Sequence, residues 1–292
     1  LEADFGVIGE GEVFDLLIEA LEAGADPLGL PGVVTRAAPA VPAPRPWEGR
    51  IARRLQPSPA QLDFYLKHGG MLNLQTQRGC PHRCLYCTYP YLDGHRLRAI
   101  DPDEVAATAR RLQDLGAAYL FITDSVFNAD TAHGLAVARA FRRHGVTVPW
   151  GAFFAPVPVP DGYYAALAEA GLTHVEFGTE SLSETVLRRY GKPFSVADVS
   201  AAHAAARAAS VHIAHYLMMG GPGEDGRTVD ETLGQAERME GAVFFFFCGV
   251  RVFPFTPLAG IARREGQVRP DDDLLAPVFY RSPGIGAEEI LA

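Results

Sequence analysis

The amino-acid sequence predicts an α/β protein whose main part is a partial, open (β/α)6 barrel. From Met71 onward, short apolar segments alternate with amphipathic helical patterns, which is typical of parallel strands joined by helical crossovers. Six such units can be counted, whereas a closed barrel of this kind has eight. An open, doubly wound sheet is the alternative that the same pattern allows. Either fold places chemistry on the loops after the carboxyl ends of the strands.

Residues 1–36 are predicted to be the C-terminal remnant of a separate α/β domain. Residues 4–8 have the pattern of a short buried strand, and Gly9-Glu10-Gly11-Glu12 then turns into an amphipathic helix. Residues 37–69 follow as a proline-rich linker, with prolines at 39, 42, 44 and 46. Because the sequence does not begin with methionine, we expect the chain to be part of a longer polypeptide.

The barrel is assigned to residues 70–260, and residues 261–292 begin a C-terminal segment. Its strands are predicted near residues 71–77, 118–123, 147–153, 173–178, 211–219 and 243–252. The phenylalanine run at 244–247 has no polar alternation, so we expect a strand that is buried on both faces.

The helix starts support this division. Asp101 is a predicted N-cap, followed by a proline in the first turn and by Glu104 as the capping-box residue, and Gly116 ends that helix. Thr228 and Glu231 predict a second capping box after the fifth strand.

The composition excludes some classes of partner. A net charge of -9 and a pI near 5.5 disfavour nonspecific binding to nucleic acid or to an anionic membrane, because such partners select basic surfaces. A local basic cluster remains at residues 50–54. The longest apolar run, residues 241–250, is far shorter than the roughly 20 residues of a membrane span. We therefore expect a cytoplasmic protein with no nucleic-acid partner and no membrane span.

Three of the four cysteines lie within eight positions, in the segment Arg78-Gly79-Cys80-Pro81-His82-Arg83-Cys84-Leu85-Tyr86-Cys87. This loop follows the first predicted strand and can wrap one metal centre. A cubane iron-sulfur cluster has four irons, so three protein thiolates leave one iron open to an exogenous ligand. Zinc is an alternative, but a closed zinc site needs four ligands, and His82 or Cys248 would have to supply the fourth. Unligated buried thiols are a further alternative.

The cysteine spacing, with Tyr86 just before the third cysteine and the loop after the first strand of a six-unit barrel, resembles the radical S-adenosylmethionine (SAM) superfamily. The resemblance implies a 4Fe-4S cluster on Cys80, Cys84 and Cys87, whose open iron is chelated by the amino and carboxylate groups of SAM. Reductive cleavage of SAM then gives a 5'-deoxyadenosyl radical. It also implies a small-molecule substrate and a reductant protein such as a flavodoxin or ferredoxin, with Tyr86 among the cofactor-binding residues.

Three weaker motifs resemble SAM-binding turns of that family. In Thr123-Asp124-Ser125, the resemblance implies that Asp124 and Ser125 accept a hydrogen bond from the methionine amine, whereas a turn carboxylate is the alternative for Asp124. In Gly178-Thr179-Glu180-Ser181, it implies that Glu180 and Ser181 face the ribose; Ser181 and Ser183 are alternatively caps of the next helix.

The third of these turns is Gly220-Gly221-Pro222-Gly223-Glu224. The resemblance implies that the backbone of Gly220 and Gly221 approaches the adenine closely, which small residues permit. Glu224 is alternatively the favourable anion at a helix start.

Two further segments resemble the cobalamin-dependent subgroup of the family. Residues 251–258 are similar to an Arg-x-Tyr-Pro-x-Thr-Pro-Leu stretch, and residues 4–12 are similar to the last strand and helix of a cobalamin-binding domain. The Asp-x-His-x-x-Gly cobalamin signature is absent from these 292 residues. We therefore expect another part of the full-length protein to bind cobalamin. This subgroup implies a methyltransferase that acts on a small metabolite or lipid precursor.

Two other functions remain open from the sequence. One is radical chemistry without methyl transfer, such as oxidation or rearrangement, and the other is a non-catalytic iron-sulfur or zinc module. His174, His212, His215 and Glu176 lie on predicted strands and are interpreted as core polar groups, with substrate contact as the alternative.

Overall fold

The computed structural model describes residues 3–35, 44–51, 58–286 and 288. The prolines at 39 and 42, two arginines of the basic cluster at 53 and 54, and most of the last six positions lie outside the described residues. Within the described ranges, no helix is both long enough and apolar enough to cross a membrane.

The elements follow one another in regular alternation after a short N-terminal unit. The strands are β1 (Phe5–Val7), β2 (Val33–Thr35), β3 (Met71–Leu74), β4 (Gln77–Arg78), β5 (Arg98–Ala99), β6 (Tyr119–Ile122), β7 (Trp150–Phe154), β8 (Leu172–Glu180), β9 (His212–Met219), β10 (Ala242–Cys248), β11 (Val250–Arg251) and β12 (Phe279–Tyr280). The helices are α1 (Glu12–Glu22), α2 (Pro59–His68), α3 (Tyr89–Asp93), α4 (Pro102–Asp114), α5 (Thr131–Arg143), α6 (Tyr163–Ala168), α7 (Glu184–Tyr190), α8 (Val196–Ala208), α9 (Gly226–Ala236) and α10 (Pro257–Arg264).

Six of these strands form one parallel sheet in the order β3-β6-β7-β8-β9-β10. Each strand lies beside its predecessor, so the strand order never reverses. A doubly wound sheet has such a reversal, and a barrel does not. The prediction of an open, six-stranded partial barrel is therefore confirmed. Right-handed crossovers place the connecting helices on one face of such a sheet.

The main core lies between this sheet and those helices. Trp150, Phe154 and Phe177 project from β7 and β8, and they pack with Phe141 of α5 and Tyr164 of α6. All five side chains are almost fully buried, and the Trp150 indole donates to the Ala170 carbonyl at 2.9 Å. Burying side chains of this size stabilises the fold by about 1.5–3 kcal/mol each.

The last strand of the sheet corrects one prediction. Phe245, Phe246 and Phe247 are 42%, 42% and 51% exposed, so burial of the phenylalanine run on both faces is wrong. The reason is topological, because β10 is the edge strand and pairs with β9 alone among the described strands. The predicted sixth strand is also split: β10 ends at Cys248, and β11 pairs antiparallel with β12.

Helix starts agree with the sequence in part at α4 and differ at α9. The Asp101 side chain accepts from the Asp103 and Glu104 amides, as expected of the N-cap. Glu104 does not complete the predicted capping box, because its carboxylate accepts from Arg50. At α9 the cap is Asp225, which forms a capping box with Thr228, so the predicted box of Thr228 with Glu231 is wrong by one turn. The helix starts earlier because the Asp225 carboxylate satisfies the Thr228 amide.

The N-terminal unit consists of β1 and β2, paired antiparallel, and α1, which packs Val13 and Leu17 against Val33. The strand and helix predicted for residues 4–22 are present. The sequence did not predict β2, nor the helix α2 within the proline-rich segment; Ser58 caps α2 by accepting from the Gln61 amide at 3.2 Å.

Candidate functional site

The three clustered cysteines lie on a loop that is closed at its base. Strands β4 and β5 pair antiparallel, with Arg78 opposite Arg98, so residues 79–97 leave and return at one point. The Cys80 amide donates to the Gly94 carbonyl at 3.1 Å. Gly79 has a φ of +89°, and a Cβ there would collide with the Arg96 carbonyl, so this turn requires glycine. Below, residues 79–97 are called the cysteine loop.

The cysteine loop is wedged between two helices at the carboxyl edge of the sheet. The Leu85 amide donates to the Tyr190 carbonyl at the end of α7, and the Leu258 amide at the start of α10 donates to the Leu85 carbonyl, both at 3.0 Å. Gly191 has a φ of +70°, and a Cβ there would lie 2.8 Å from the Arg83 carbonyl oxygen. The loop therefore has a defined backbone path.

The thiols are gathered but do not converge on a point. Cys80 is buried, and Cys84 and Cys87 are half-buried and line a cleft of about 450 Å³ with Tyr91 and Phe255, whose rings stack at 4.8 Å. Within the part of the chain that is described, no three Cys, His, Asp or Glu side chains are arranged to hold one metal ion.

Two of the three thiols, Cys80 and Cys87, have raised pKa values in the metal-free chain. Burial raises the pKa of Cys87 to about 11, and the neighbouring thiols Cys84 and Cys80 add to the shift. Burial also raises the pKa of Cys80. Metal ligation requires thiolates, so loading this site would release protons.

A buried lysine balances the charge beside the cysteines. Burial opposes the charge of Lys192, but Glu180 and the Cys84 thiol outweigh it, so the pKa of Lys192 is raised. Lys192 pairs with Glu180 and donates to the Gly178 carbonyl at 3.3 Å, and its ammonium lies 5.4 Å from the Tyr86 ring centroid. Burial and the Glu180 carboxylate hold the pKa of Tyr86 well above its ordinary value. The structure thus brings Tyr86 and Glu180 to the cysteines.

Lys192 was missed by the sequence analysis. It lies two residues after the end of α7, in a segment with no recognisable motif. Its ion pair with Glu180 depends on how α7 packs, which the local sequence does not show. Glu180 itself has a φ of +58°, unusual for a non-glycine residue, and this conformation turns the chain at the end of β8.

Asp124 lies at the base of the cysteine loop and is 1% exposed. Its carboxylate accepts from the Thr76 amide at 2.7 Å, from the Thr76 hydroxyl, and from the Gln77 amide at 3.2 Å. These bonds connect the end of β6 to the segment that leads into the loop, which favours the turn interpretation over amine binding. Ser125, next in the chain, is half-buried.

Ser181 is fully buried and is bonded within the protein. Its hydroxyl shares a hydrogen bond of 3.1 Å with the Thr232 hydroxyl and accepts from the Ser183 amide at 3.1 Å. The Ser183 side chain donates to Glu231 at 2.5 Å and does not cap α7. Ser181 is therefore held by the start of α7 and by α9, a position behind the carboxyl edge.

The glycine-rich turn after β9 is fixed by Glu224. This carboxylate is 1% exposed and accepts from the Gly220 amide and, at 3.1 Å, from the Gly221 amide. Burial raises the pKa of Glu224 despite these two bonds. Gly221 packs directly on the Tyr190 hydroxyl, with no room for a Cβ. Gly220 and Gly221 are buried, and the Gly220 carbonyl accepts from the Ser282 amide at 2.7 Å, so the backbone of this turn is held within the protein.

The polar residues predicted on the strands divide between two faces. His215 is fully buried against the helices, shares hydrogen bonds with Thr179 (2.8 Å) and His203 (3.1 Å), and its pKa is lowered by burial to about 3. It is a satisfied core group. Glu176 is half-buried on the opposite, concave face, and burial together with this carboxylate raises the pKa of Tyr216 to about 12.

The neighbours of Glu176 on the concave face are two histidines. His174 and His212 pair across β8 and β9, with ring centroids 6.4 Å apart. Burial lowers the pKa of His174, and the charge of Glu176 opposes that shift. Unlike His215, these groups face the open side of the sheet. His212 is exposed there, so its interpretation as a core polar group is wrong.

Comparison with known proteins identifies the family. The model of the radical SAM superfamily matches residues 74–236, more than half of the chain. The chain belongs to the radical SAM superfamily. The match begins at the end of β3, immediately before the cysteine loop, and ends at the last residue of α9.

Two curated relatives of this radical SAM chain are methyltransferases. It is 28% identical over 235 residues to a cytidylyl-2-hydroxyethylphosphonate methyltransferase of Streptomyces wedmorensis, covering 75% of the chain and 43% of that protein. It is 24% identical over 215 residues to a tryptophan 2-C-methyltransferase of Streptomyces laurentii, covering 67% of the chain and 35% of that protein. The chain thus spans less than half the length of these two relatives.

Solved structures share the fold over nearly the whole chain. The radical SAM methyltransferase TsrM from Kitasatospora setae, solved with tryptophan and a SAM analogue, has a TM-score of 0.81 at 24% identity and covers 99% of this chain, which spans 60% of TsrM. The cobalamin-dependent radical SAM enzyme OxsB, solved with aqua-cobalamin and SAM, has a TM-score of 0.76 at 15% identity. The match covers 94% of this chain and 48% of the OxsB chain.

Proposed function

We propose that this chain is the catalytic core of a cobalamin-dependent radical SAM methyltransferase, with a 4Fe-4S cluster on Cys80, Cys84 and Cys87. The observation that supports this proposal best is the set of three cysteines on one loop that is closed at its base by β4 and β5, with Cys84 and Cys87 lining one cleft. When bound, the cluster supplies an open iron for SAM and the electron that cleaves it to methionine and a 5'-deoxyadenosyl radical.

The side chains around the loop then have distinct roles. Lys192, held by Glu180, places a positive charge beside three thiolates and offsets part of their negative charge. Tyr86 covers the loop between Lys192 and Tyr190. Gly220 and Gly221 remain predicted to lie against the adenosine portion of SAM, and Asp124 holds the segment that leads into the cysteine loop.

The methyl transfer and the cobalamin rest on the relatives. Two curated methyltransferases are similar in sequence, and two solved structures, one with a SAM analogue and one with cobalamin and SAM, share this fold; each of the four proteins extends well beyond the matched region. We assign residues 1–36 to the end of a cobalamin-binding domain, 37–69 to a linker, 70–260 to the radical SAM barrel and 261–292 to the start of a C-terminal segment. Ser125 remains a predicted SAM contact, whereas the buried hydroxyl of Ser181 is bonded to Thr232 and the Ser183 amide and supports the turn.

The substrate is proposed to be a small metabolite or lipid precursor bound on the concave face. That face carries Glu176 with Tyr216, and the exposed rings of Phe153 and Phe245 flank them. Concave sites with apolar walls and a few polar groups are typical of small-molecule binding. A cytoplasmic flavodoxin or ferredoxin is the proposed reductant.

Anaerobic reconstitution tests the cluster and the cleavage together. The protein should bind about four irons and four sulfides and, with SAM and a strong reductant, release 5'-deoxyadenosine. Cys84→Ala should lose both cluster and cleavage, whereas Cys248→Ala, at an exposed position on the edge strand, should lose neither. Bound zinc in place of iron, or no 5'-deoxyadenosine from a loaded cluster, contradicts the proposal.

Methyl transfer needs a separate measurement. Full-length protein reconstituted with the cluster and cobalamin, and supplied with reductant and a candidate acceptor substrate, should convert labelled SAM into S-adenosylhomocysteine and the methylated acceptor. Cleavage of SAM without any transferred methyl group would favour radical oxidation or rearrangement.

A further inference from the structure

A buried ion network joins the N-terminal unit to the base of the cysteine loop. Arg78 is the last residue of β4, directly before the cysteine loop, and Arg98 is the first residue of β5, directly after it. The two residues lie opposite each other in the β4–β5 pair. Their side chains are 15% and 10% exposed. Two guanidinium groups packed side by side repel each other unless a carboxylate lies between them.

Glu10, from the turn between β1 and α1, supplies that carboxylate. Its side chain is 2% exposed, and its oxygens lie 2.7 Å from Arg78 Nη1 and 2.7 Å from Arg98 Nη1. It also accepts from the Trp47 amide at 2.7 Å. Glu12 adds a second contact to Arg78 at 2.7 Å, which gives two carboxylates for two guanidinium groups.

The arginines transmit this anchoring into the loop. Arg98 Nη2 donates to the Asp93 carbonyl at 2.7 Å, at the end of α3 inside the cysteine loop, and Arg98 Nη1 donates to the Trp47 carbonyl at 2.6 Å. Arg78 is two residues before Cys80, and its Nε donates to Gln75 at 2.9 Å. Three segments that are distant in the sequence therefore meet at one buried carboxylate.

We propose that Glu10 is a positioning residue for the cluster, which makes the stability and redox properties of the cluster dependent on the N-terminal unit. The proposal rests on the proposed function, since it needs a cluster on the three cysteines. Among the described residues, Glu10 is the carboxylate in ion-pair contact with Arg98, so its loss leaves a buried guanidinium unpaired. The loop base then relaxes, and the thiolates that it presents shift with it.

Glu10→Gln tests this because it keeps the size of the side chain and removes its charge. We expect the reconstituted variant to load iron and sulfide as wild type does, but to lose iron to a chelator roughly tenfold faster, as is typical when a contact behind a metal ligand is removed. Its cluster should also have a more positive midpoint potential, because a nearby negative charge is gone. A merely structural role would lower the unfolding midpoint without moving the potential.

Two further variants keep the test decisive. Glu169→Gln, which breaks the exposed pair with Arg142, is the matched control and should behave as wild type. Arg98→Lys keeps the charge but cannot contact Glu10, Trp47 and Asp93 together, so it should accelerate iron release even if Glu10→Gln fails to fold.

Wild-type iron release and midpoint potential in a folded Glu10→Gln variant, or wild-type release in Arg98→Lys, would overturn the proposal. A wild-type protein that binds no iron and sulfide would instead refute the proposed function, so the two failures are distinguishable.

Discussion

The two edges of the central sheet are built differently. At the β3 edge, buried polar contacts fix the backbone that enters the cysteine loop: Asp124 accepts three hydrogen bonds, and Gln77 donates to the Val126 and Phe127 carbonyls at 3.1 and 3.0 Å. At the β10 edge, large apolar side chains are exposed. Chemistry that needs fixed ligands lies at the first edge, and the second edge keeps an apolar surface open.

The largest expected difference is between a buried phenylalanine of the sheet interior, Phe177, and an exposed one of the β10 edge, Phe247. Phe177→Ala, which removes a fully buried ring between the sheet and the helices, should lower the free energy of unfolding by about 4 kcal/mol, because it leaves a cavity in close-packed surroundings. Phe247→Ala, at the open edge, should change it by less than about 0.5 kcal/mol. Chemical denaturation of both variants measures the difference. Equal losses would show that β10 is covered and that the two edges are alike.

At the β3 edge, Asp124→Ala should destabilise the fold by about 3 kcal/mol, because buried donors of Thr76 and Gln77 lose their acceptor. The exposed Asp161→Ala is the control and should be neutral. Denaturant unfolding gives both values. If Asp124→Ala were as stable as its control and still lost affinity for SAM, the carboxylate would bind the methionine amine rather than hold the turn.

Titration of His215 gives a smaller and pH-dependent effect. Its pKa is lowered from 6.5 to about 3 in the fold, so below pH 6.5 the unfolded chain binds a proton that the folded chain excludes. Stability should therefore fall as the pH decreases from about 6.5 towards 3, by up to about 1.4 kcal/mol per pH unit from this residue. His203, whose pKa is also lowered by burial, acts in the same direction.

Unfolding midpoints between pH 7.5 and 5 measure this slope. His215→Phe should flatten it, although the variant is less stable because Thr179 loses its partner. Phe247→Ala, which removes an exposed ring and no titratable group, is the control and should leave the slope unchanged. An unaltered slope in His215→Phe would mean that His215 is not kept neutral by the core.

Much of this architecture was predictable because its signals are local. The Asp101 cap, the strand-helix alternation and the cysteine spacing each depend on a few consecutive residues, and each led to a correct element or family. The exposure of the phenylalanine run did not follow from its sequence, since burial depends on whether a strand is central or at the edge. Periodicity alone does not distinguish these positions.

The parts of the site that were missed depend on long-range contacts. Lys192 meets Glu180 only after α7 packs beside the cysteine loop, and Glu10 meets Arg78 across 68 positions of sequence. The one-turn error at α9 had a different cause, since Asp225 and Thr228 compete as N-caps within the same segment and the earlier residue satisfies the helix start. No sequence pattern predicts which charged side chains form an ion pair when they are far apart in the chain.

The cluster site itself is tested most directly by the electron paramagnetic resonance spectrum of the reduced, reconstituted protein, recorded with and without SAM. If Cys80, Cys84 and Cys87 leave one iron open, SAM must bind that iron and change the spectrum, and Cys84→Ala must show no cluster signal. A cluster spectrum that is unaffected by saturating SAM, or a protein that takes up zinc and no iron, would contradict the account.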